Sequence, residues 1–376
     1  MRWQWLTWLL LPVLFGLSGC QKQVTVKTPT QAPTAFATPS QLATTTDRQH
    51  GQKVATFIKQ GLLTKQGLYT NYVDTKQRTA GAATGHELLS ESSGMWLQYL
   101  ATTHQWAQFR TFYQATKKTF DDHGQFSYRY DPRTKKRYRV NATLDDLRLI
   151  RALLAYDQMH HRSTYRHEAT QRYQTLVNTS LKQGHLVNYY DMQTKKATTT
   201  GSLAYFDLKT LHYFEQGSKK GRAAYQKQLT VVKSGYLGDV FPLYAASYQW
   251  TTSKYSSANL NTSEALETLL HLAEIGQLKT TSRRWLSQRL VQHNLANGYT
   301  TTGTVSVKGE SAGNYALAAM IFAAVHDQKN YQRAMQAVWR LQVTAKKSAI
   351  VGGIGDAATN QAYSYNNLTA LNAAFK

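Results

Sequence analysis

Carboxylates are the scarce reactive groups of this chain, with 21 Asp and Glu against 44 Lys and Arg. Most of them stand at helix starts or turns, where capping and the helix dipole account for them. Three places differ. Ser90-Glu91-Ser92-Ser93-Gly94-Met95 sets a carboxylate among small residues as an apolar helix begins. Small neighbours would admit a bulky substrate to Glu91, although a Ser90 cap with Glu91 on the dipole explains the same residues. Asn141-Ala142-Thr143-Leu144-Asp145-Asp146-Leu147 puts two adjacent aspartates on another first turn, and their mutual repulsion would raise one pKa. In Gly235-Tyr236-Leu237-Gly238-Asp239-Val240-Phe241-Pro242-Leu243-Tyr244, a lone Asp239 sits among glycines, aromatics and a proline, a tight turn in which it can also serve as a helix cap.

The elements that must position these groups are helical. Apolar residues recur at three and four in Val54-Ala55-Phe57-Ile58-Leu62, in Leu147-Ile150-Leu153-Leu154, in Leu266-Leu269-Leu270-Ala273 and in Leu317-Met320-Ile321-Val325. Roughly a dozen such helices, joined by short polar or glycine-bearing loops, suggest an all-α toroid of paired helices; a plain bundle or a solenoid fits the same irregular period. Two β-like stretches, at 125–130 and 185–190, are expected in loops.

Several chemistries are excluded. Cys20 is the only cysteine, so there is no internal disulfide and no cysteine-based zinc site. The twelve histidines show no metal-ligand spacing, and Gly-x-Ser-x-Gly and phosphate-binding loops are missing. Gly352-Gly353-Ile354-Gly355-Asp356 reads as a loop, and no cofactor is implied. The formal charge of +23 suits anionic neighbours such as lipid headgroups, wall polymers or acidic polysaccharide. Nucleic acid is not expected, because the N-terminus reads as an export signal.

That signal comprises Arg2, the apolar run from Trp3 to Phe15, and Leu17-Ser18-Gly19-Cys20, small residues ahead of a cysteine in the order of a bacterial lipobox. Residues 1–19 are expected to be a signal peptide, with Cys20 lipidated on the outer face of the cell membrane. Residues 20–45, rich in Thr, Pro, Ala and Gln, read as a flexible tether. Residues 46–376 would form the working domain.

At the carboxylate motifs the sequence resembles glycoside hydrolase family 8, and more closely the lipoproteins of Gram-positive exopolysaccharide operons. Ser90-Glu91 fits the family's Ser-Glu-Gly motif, with Ser92 in place of the glycine. Ala142-Thr143, Asp146 and Ala152-Leu153-Leu154 fit its second motif, with Leu144 where the first Asp belongs. Tyr236 and Pro242-Leu243-Tyr244 fit its third, with Leu237 and Val240 replacing an Asp and an Arg. Gly201 to Asp207 is similar to the family's Asn-Pro-Ser-Tyr-Phe segment.

The resemblance implies an (α/α)6 barrel with short irregular or β-like loops, hydrolysing a β-linked exopolysaccharide with inversion. It implies Glu91 as general acid, Asp239 as the nearest candidate for the base, and Asp145 or Asp146 holding the sugar. Trp96, Tyr205, Phe206 and Tyr244 would stack on sugar rings, with Tyr128-Arg129-Tyr130 and Tyr363-Ser364-Tyr365 extending the groove. The exopolysaccharide synthesis machinery is the protein partner it suggests. The altered Asp positions also fit a barrel that binds polysaccharide without cleaving it.

Overall fold

Twelve α-helices appear among the described residues of the computed structural model, which are 25–37, 42–79 and 82–376. They are α1 (Thr45–Phe57), α2 (Ser90–Thr102), α3 (Trp106–Phe120), α4 (Thr143–His160), α5 (Arg166–Asn178) and α6 (Leu208–Glu215). The second half supplies α7 (Lys219–Ser234), α8 (Thr262–Ala273), α9 (Thr280–Val291), α10 (Ala312–Ala324), α11 (Gln328–Arg340) and α12 (Ser364–Ala373). Even-numbered helices touch one another in the closed cycle α2, α4, α6, α8, α10, α12, while odd-numbered helices pack outside them. This is an (α/α)6 barrel, as the sequence led us to expect.

Composition sorts the two rings. Inner α10 is almost wholly apolar and small, with Ala312 through Ala319 buried without a break. Outer α11 buries Tyr331, Ala334, Met335, Ala337 and Val338 on one stripe and turns Lys and Arg to water. Close approach of the inner helices needs small side chains at the crossings. A Cβ on Gly94 of α2 would meet the Cβ of Arg148 on α4 at 3.0 Å. Ser92 Oγ bonds Ser364 Oγ of α12 at 2.9 Å, and both serines are buried. The small residues around Glu91, read from sequence as room for a substrate, therefore serve helix packing.

Every outer-to-inner connection returns to the end of the barrel where the inner helices begin, and the short strands cluster there. Leu88–Leu89, which leads into α2, pairs antiparallel with Arg129–Asp131, Leu88 opposite Tyr130. Thr200–Ser202 pairs with Ser247–Gln249, and Leu260–Asn261, which leads into α8, pairs with Gly298–Tyr299. Of the two β-like stretches expected, 125–130 contains strands, whereas 185–189 is irregular and only Tyr190–Asp191 forms one. Arg129 and Glu87, both fully buried, form a two-pronged ion pair of 2.8 and 2.7 Å that fixes the approach to α2. The Tyr128-Arg129-Tyr130 loop is thus framework at its centre, since Arg129 is sealed from solvent.

The segment read as a flexible tether departs from that reading over 25–37. Its backbone N–H groups at Phe36 and Ala37 both donate to Gln158 Oε1, at 2.7 and 3.1 Å, and Gln158 Nε2 donates back to the Ala37 carbonyl. Phe36 is buried edge-on against Tyr213, with ring centroids 5.4 Å apart. Low charge and high Thr and Pro content pointed to disorder, but one aromatic anchor and a half-buried glutamine hold this stretch on the barrel. Trp3 to Phe15 and Cys20 lie outside the described residues. Among the described residues no helix is long and apolar enough to cross a membrane. Phe36→Ala should lower the free energy of unfolding by about 3–5 kcal/mol, the usual cost of emptying a core Phe site. Urea denaturation of the two proteins tests this; a loss below about 1 kcal/mol would show that the segment is not anchored there.

Candidate active site

Each inner helix buries most of its surface and leaves one stripe facing the barrel axis. Ahead of the last turn of each, α2 is partly open at Glu91, Met95 and Gln98, spaced by four and three, and α4 at Arg148 and Arg151. The first turns of α2, α4 and α12 have no side-chain cap, because Leu89, Ala142 and Tyr363 stand at their cap positions. Ser90, adjacent to the cap, instead donates its hydroxyl to Asp145 Oδ2 at 2.9 Å.

Arg148 organises the opening. Its Nη1 lies 3.0 Å from Glu91 Oε1 and 3.4 Å from Asp145 Oδ1, and its Nη2 lies 2.7 Å from Glu267 Oε1. Tyr365 donates its hydroxyl to that same Glu267 oxygen at 3.4 Å. One cation thus gathers carboxylates from α2, α4 and α8. Burial raises the Glu91 pKa, Arg148 draws it back and the Glu267 charge raises it again; the net shift is upward. Burial, then the Glu91 charge, lifts Asp145 to about 7 against the pull of Arg148. Tyr205, half-buried just ahead of α6, feels burial first and then the charges of Asp145, Glu264 and Glu91, which hold its hydroxyl protonated.

Asp146, one position on and about 100° around the helix, turns away from this group. It is buried, accepting from Asn141 Nδ2 at 2.8 Å and from the Phe126 N–H at 2.9 Å, so it ties the strand at 125–126 to α4. Burial raises it to about 7 against those two hydrogen bonds. Asp239 is exposed on the loop between α7 and α8. It accepts from the Tyr236 hydroxyl at 2.7 Å, and Tyr236 in turn bonds Thr281 on outer α9. Among the described residues no hydrogen bond or ion pair joins Asp239 to the Glu91 group.

Three of the four aromatics expected to stack on sugars are core. Trp96 is 2 % exposed and packs against Tyr99, because five residues from Glu91 it faces away from the axis. Phe206 is sealed at 0 %, and Tyr244 at 2 % packs against Tyr236. Only Tyr205 joins the opening. The tyrosine-rich stretch 363–365, expected as a loop, is instead the cap and first turn of α12; from it Tyr365 reaches the Arg148 group, and Tyr363 is 48 % exposed.

Below the opening, a cleft of about 100 Å³ runs along the axis between Met95, Arg148, Glu267, His271 and Lys376. Arg151, one turn below Arg148, bridges Asp207 at 3.0 Å and Glu274. His271 sits between the layers, Nε2 3.8 Å from Glu267 and Nδ1 3.9 Å from Glu274. Asp207, His271 and Glu274 bring potential donor atoms within 4.8 Å of one another. Arg151 already occupies both carboxylates, so the set does not fit a cation. A larger cavity, about 330 Å³, opens elsewhere between residues 25–27, α5 and α7.

The sequence reading missed Arg148, Glu264 and Glu267. The signal was present: Arg148 lies three residues after Asp145, and Glu264 and Glu267 are three apart in a segment whose leucines recur at helical spacing.

The fold is the (α/α)6 architecture of the six-hairpin glycosidases. Against solved structures, the chain superimposes on a novel alpha-amylase from Clostridium perfringens with a TM-score of 0.79 at 26% identity, covering 87% of this chain and 98% of that one. It superimposes on endoglucanase Cel10, a family 8 glycosyl hydrolase from Klebsiella pneumoniae, with a TM-score of 0.58 at 14% identity over 77% and 98% of the two chains. In sequence it is 23% identical over 304 residues to YdaJ, named as a candidate lipoprotein, of Bacillus subtilis strain 168, covering 79% of each chain. No family model matches it.

Asp146 makes a stability test. Its pKa of about 7 in the folded chain, against the ordinary 3.8, means that the folded state keeps a proton that the unfolded state releases. Its contribution is therefore complete below about 3.8 and is lost as pH rises through 7. Between pH 5 and 8 the urea midpoint of the native protein should fall, and that of Asp146→Asn should fall less steeply. Parallel slopes would contradict the buried, protonated carboxyl.

Proposed function

We propose that this protein is a glycoside hydrolase acting on a polysaccharide outside the cell, held to the membrane through lipid on Cys20. The observation that carries the reading is Glu91. It is a partly open carboxyl of raised pKa at the mouth of an (α/α)6 barrel, where the family 8 resemblance assigns the general acid. Protonated Glu91 donates to the departing glycosidic oxygen as the bond to the anomeric carbon breaks. Asp145, anchored by Ser90 and Arg148, is placed to hold sugar hydroxyls and to favour the positive charge that develops on the ring.

Asp145 is poorly suited as the base of an inverting reaction. It shares Arg148 Nη1 with Glu91 at 3.4 and 3.0 Å, which holds the bonded oxygens closer together than the roughly 6.5–9.5 Å that admits a water between the carboxyls. Lipid anchoring draws support from the lipobox and from the name of the Bacillus relative. The resemblance favours a β-linked exopolysaccharide and, by its operon association, contact with the synthesis machinery. An α-glucan is a second reading, favoured by the Clostridium structure named an alpha-amylase, which superimposes with a TM-score of 0.79.

The purified protein should release reducing ends from soluble polysaccharide, and Glu91→Gln should do so about 10²- to 10⁴-fold more slowly, the usual weight of a general acid. Soluble starch, mixed-linkage β-glucan and the cell's own exopolysaccharide, incubated side by side, decide the linkage. Equal and negligible release by both proteins, with polymer retained on the protein, would replace the hydrolase with a binding scaffold.

A further inference from the structure

The opening holds one carboxylate that the Arg148 group leaves uncommitted. Glu91, Asp145 and Glu267 all pair with Arg148, whereas Glu264 enters no ion pair among the described residues. Glu264 lies three residues before Glu267 on α8, so both share the helix face that Glu267 proves is turned to the axis.

Depth and azimuth both place it opposite the acid. Glu91 is the second residue of α2 and Glu264 the third of α8, so the two stand in the first turns of parallel inner helices, at the same level. In the cycle of six, α8 is three steps from α2 in either direction, which is diametrically across the barrel. Glu267 is a turn deeper, behind Arg148. Glu264 is exposed at the rim. Desolvation by its surroundings raises its pKa against a hydrogen bond from Ser202 that draws it down, and the charges of Glu267 and Glu91 raise it further. That it feels the Glu91 charge sets the two carboxyls within reach of each other. Tyr205 feels the charges of Asp145, Glu264 and Glu91 together, which puts all three around one space.

We propose that Glu264 is the catalytic base that activates the attacking water, with Glu91 as the acid across the barrel mouth. This rests on the hydrolase reading above. In the step, the water oxygen bonds to the anomeric carbon while its proton passes to Glu264. The bond from that carbon to the departing oxygen breaks, and Glu91 supplies that oxygen's proton. One water is consumed, a hemiacetal of inverted configuration and a free hydroxyl result, and the cycle closes when Glu264 releases its proton to bulk water and Glu91 takes one up from it.

Glycosyl fluorides separate acid from base, because fluoride departs without protonation yet still needs an activated water. The wild-type protein, Glu91→Gln, Glu264→Gln and Asp239→Asn are compared on the polysaccharide that the wild type cleaves and on α- and β-maltosyl and cellobiosyl fluorides. Melting curves confirm folding, and Glu264→Asp supplies a shortened carboxylate for partial rescue. Glu264→Gln should lose at least 10²-fold on both polysaccharide and fluoride, while Glu91→Gln loses on polysaccharide and keeps most of its fluoride hydrolysis. Fluoride hydrolysis surviving in folded Glu264→Gln, or lost in Asp239→Asn instead, overturns the assignment and leaves the hydrolase reading standing. A wild-type protein inert on every substrate overturns both.

Discussion

The guanidinium of Arg148 is the point on which the opening of this barrel depends. Three carboxylates from three inner helices converge on one cation, so the group carries more negative charge than its centre neutralises. A buried excess of that kind is relieved most cheaply by keeping a proton, and the upward shifts of Glu91 and Asp145 express it. The cation itself is locked on, its own pKa driven further upward by Glu267, Glu91 and Asp145 despite burial. The upward shift of Glu91, and the rise of Asp145 to about 7, therefore follow from burial together with the count of charges around one side chain. A general acid needs such a shift.

The arrangement repeats one turn down the axis. Arg151, three residues after Arg148, binds Asp207 and Glu274, and here two carboxylates meet Arg151, Lys209 and His271. Cations prevail in this layer, and Glu274 is held well below the ordinary carboxylate range. Burial favours the neutral form of His271, but Glu274, Asp207 and Glu267 outweigh it and raise its pKa. Two layers, each built around an arginine of α4, thus hold their protons differently, and the difference is the ratio of anions to cations.

How far the sequence disclosed this depends on the interaction concerned. Helical periodicity disclosed the helices themselves, whereas their closed double ring was implied by the family resemblance, the period alone fitting a bundle or a solenoid equally well. Glu91 was legible from its motif, and Tyr365 from its tyrosine-rich stretch. Trp96, Phe206 and Tyr244 were misplaced for a common reason: closeness along the chain to a motif says nothing about which way a side chain turns, and each of these turns into the core. Asp145 and Asp146 show the same limit at one residue of separation, the first turned to the opening and the second to the 125–126 strand. Arg148 and Glu267 lie 119 residues apart, and their pairing exists only once α4 and α8 are both in the ring. The docked segment at 25–37 escaped because composition averages over a stretch, whereas a single Phe36 and a single Gln158 decide its fate.

Charge is segregated in this molecule. The chain as a whole carries +23, yet Glu91, Asp145, Asp207, Glu264, Glu267 and Glu274 bring six of its 21 carboxylates to the mouth and axis of the barrel. Basic side chains spread over an outer surface act at a distance, through a field that salt screens within about 8 Å at physiological ionic strength. Apart from Glu264 at the rim, the inner carboxylates act on contact, in surroundings where water is scarce and each proton changes the local field strongly. An anionic polymer would be drawn to the exterior by the first effect. At the opening it would meet the second, where a neutral sugar can approach the carboxylates and a densely anionic one is repelled. The same barrel can therefore attract a charged chain along its length and still select the uncharged part of it for the carboxylates at its mouth.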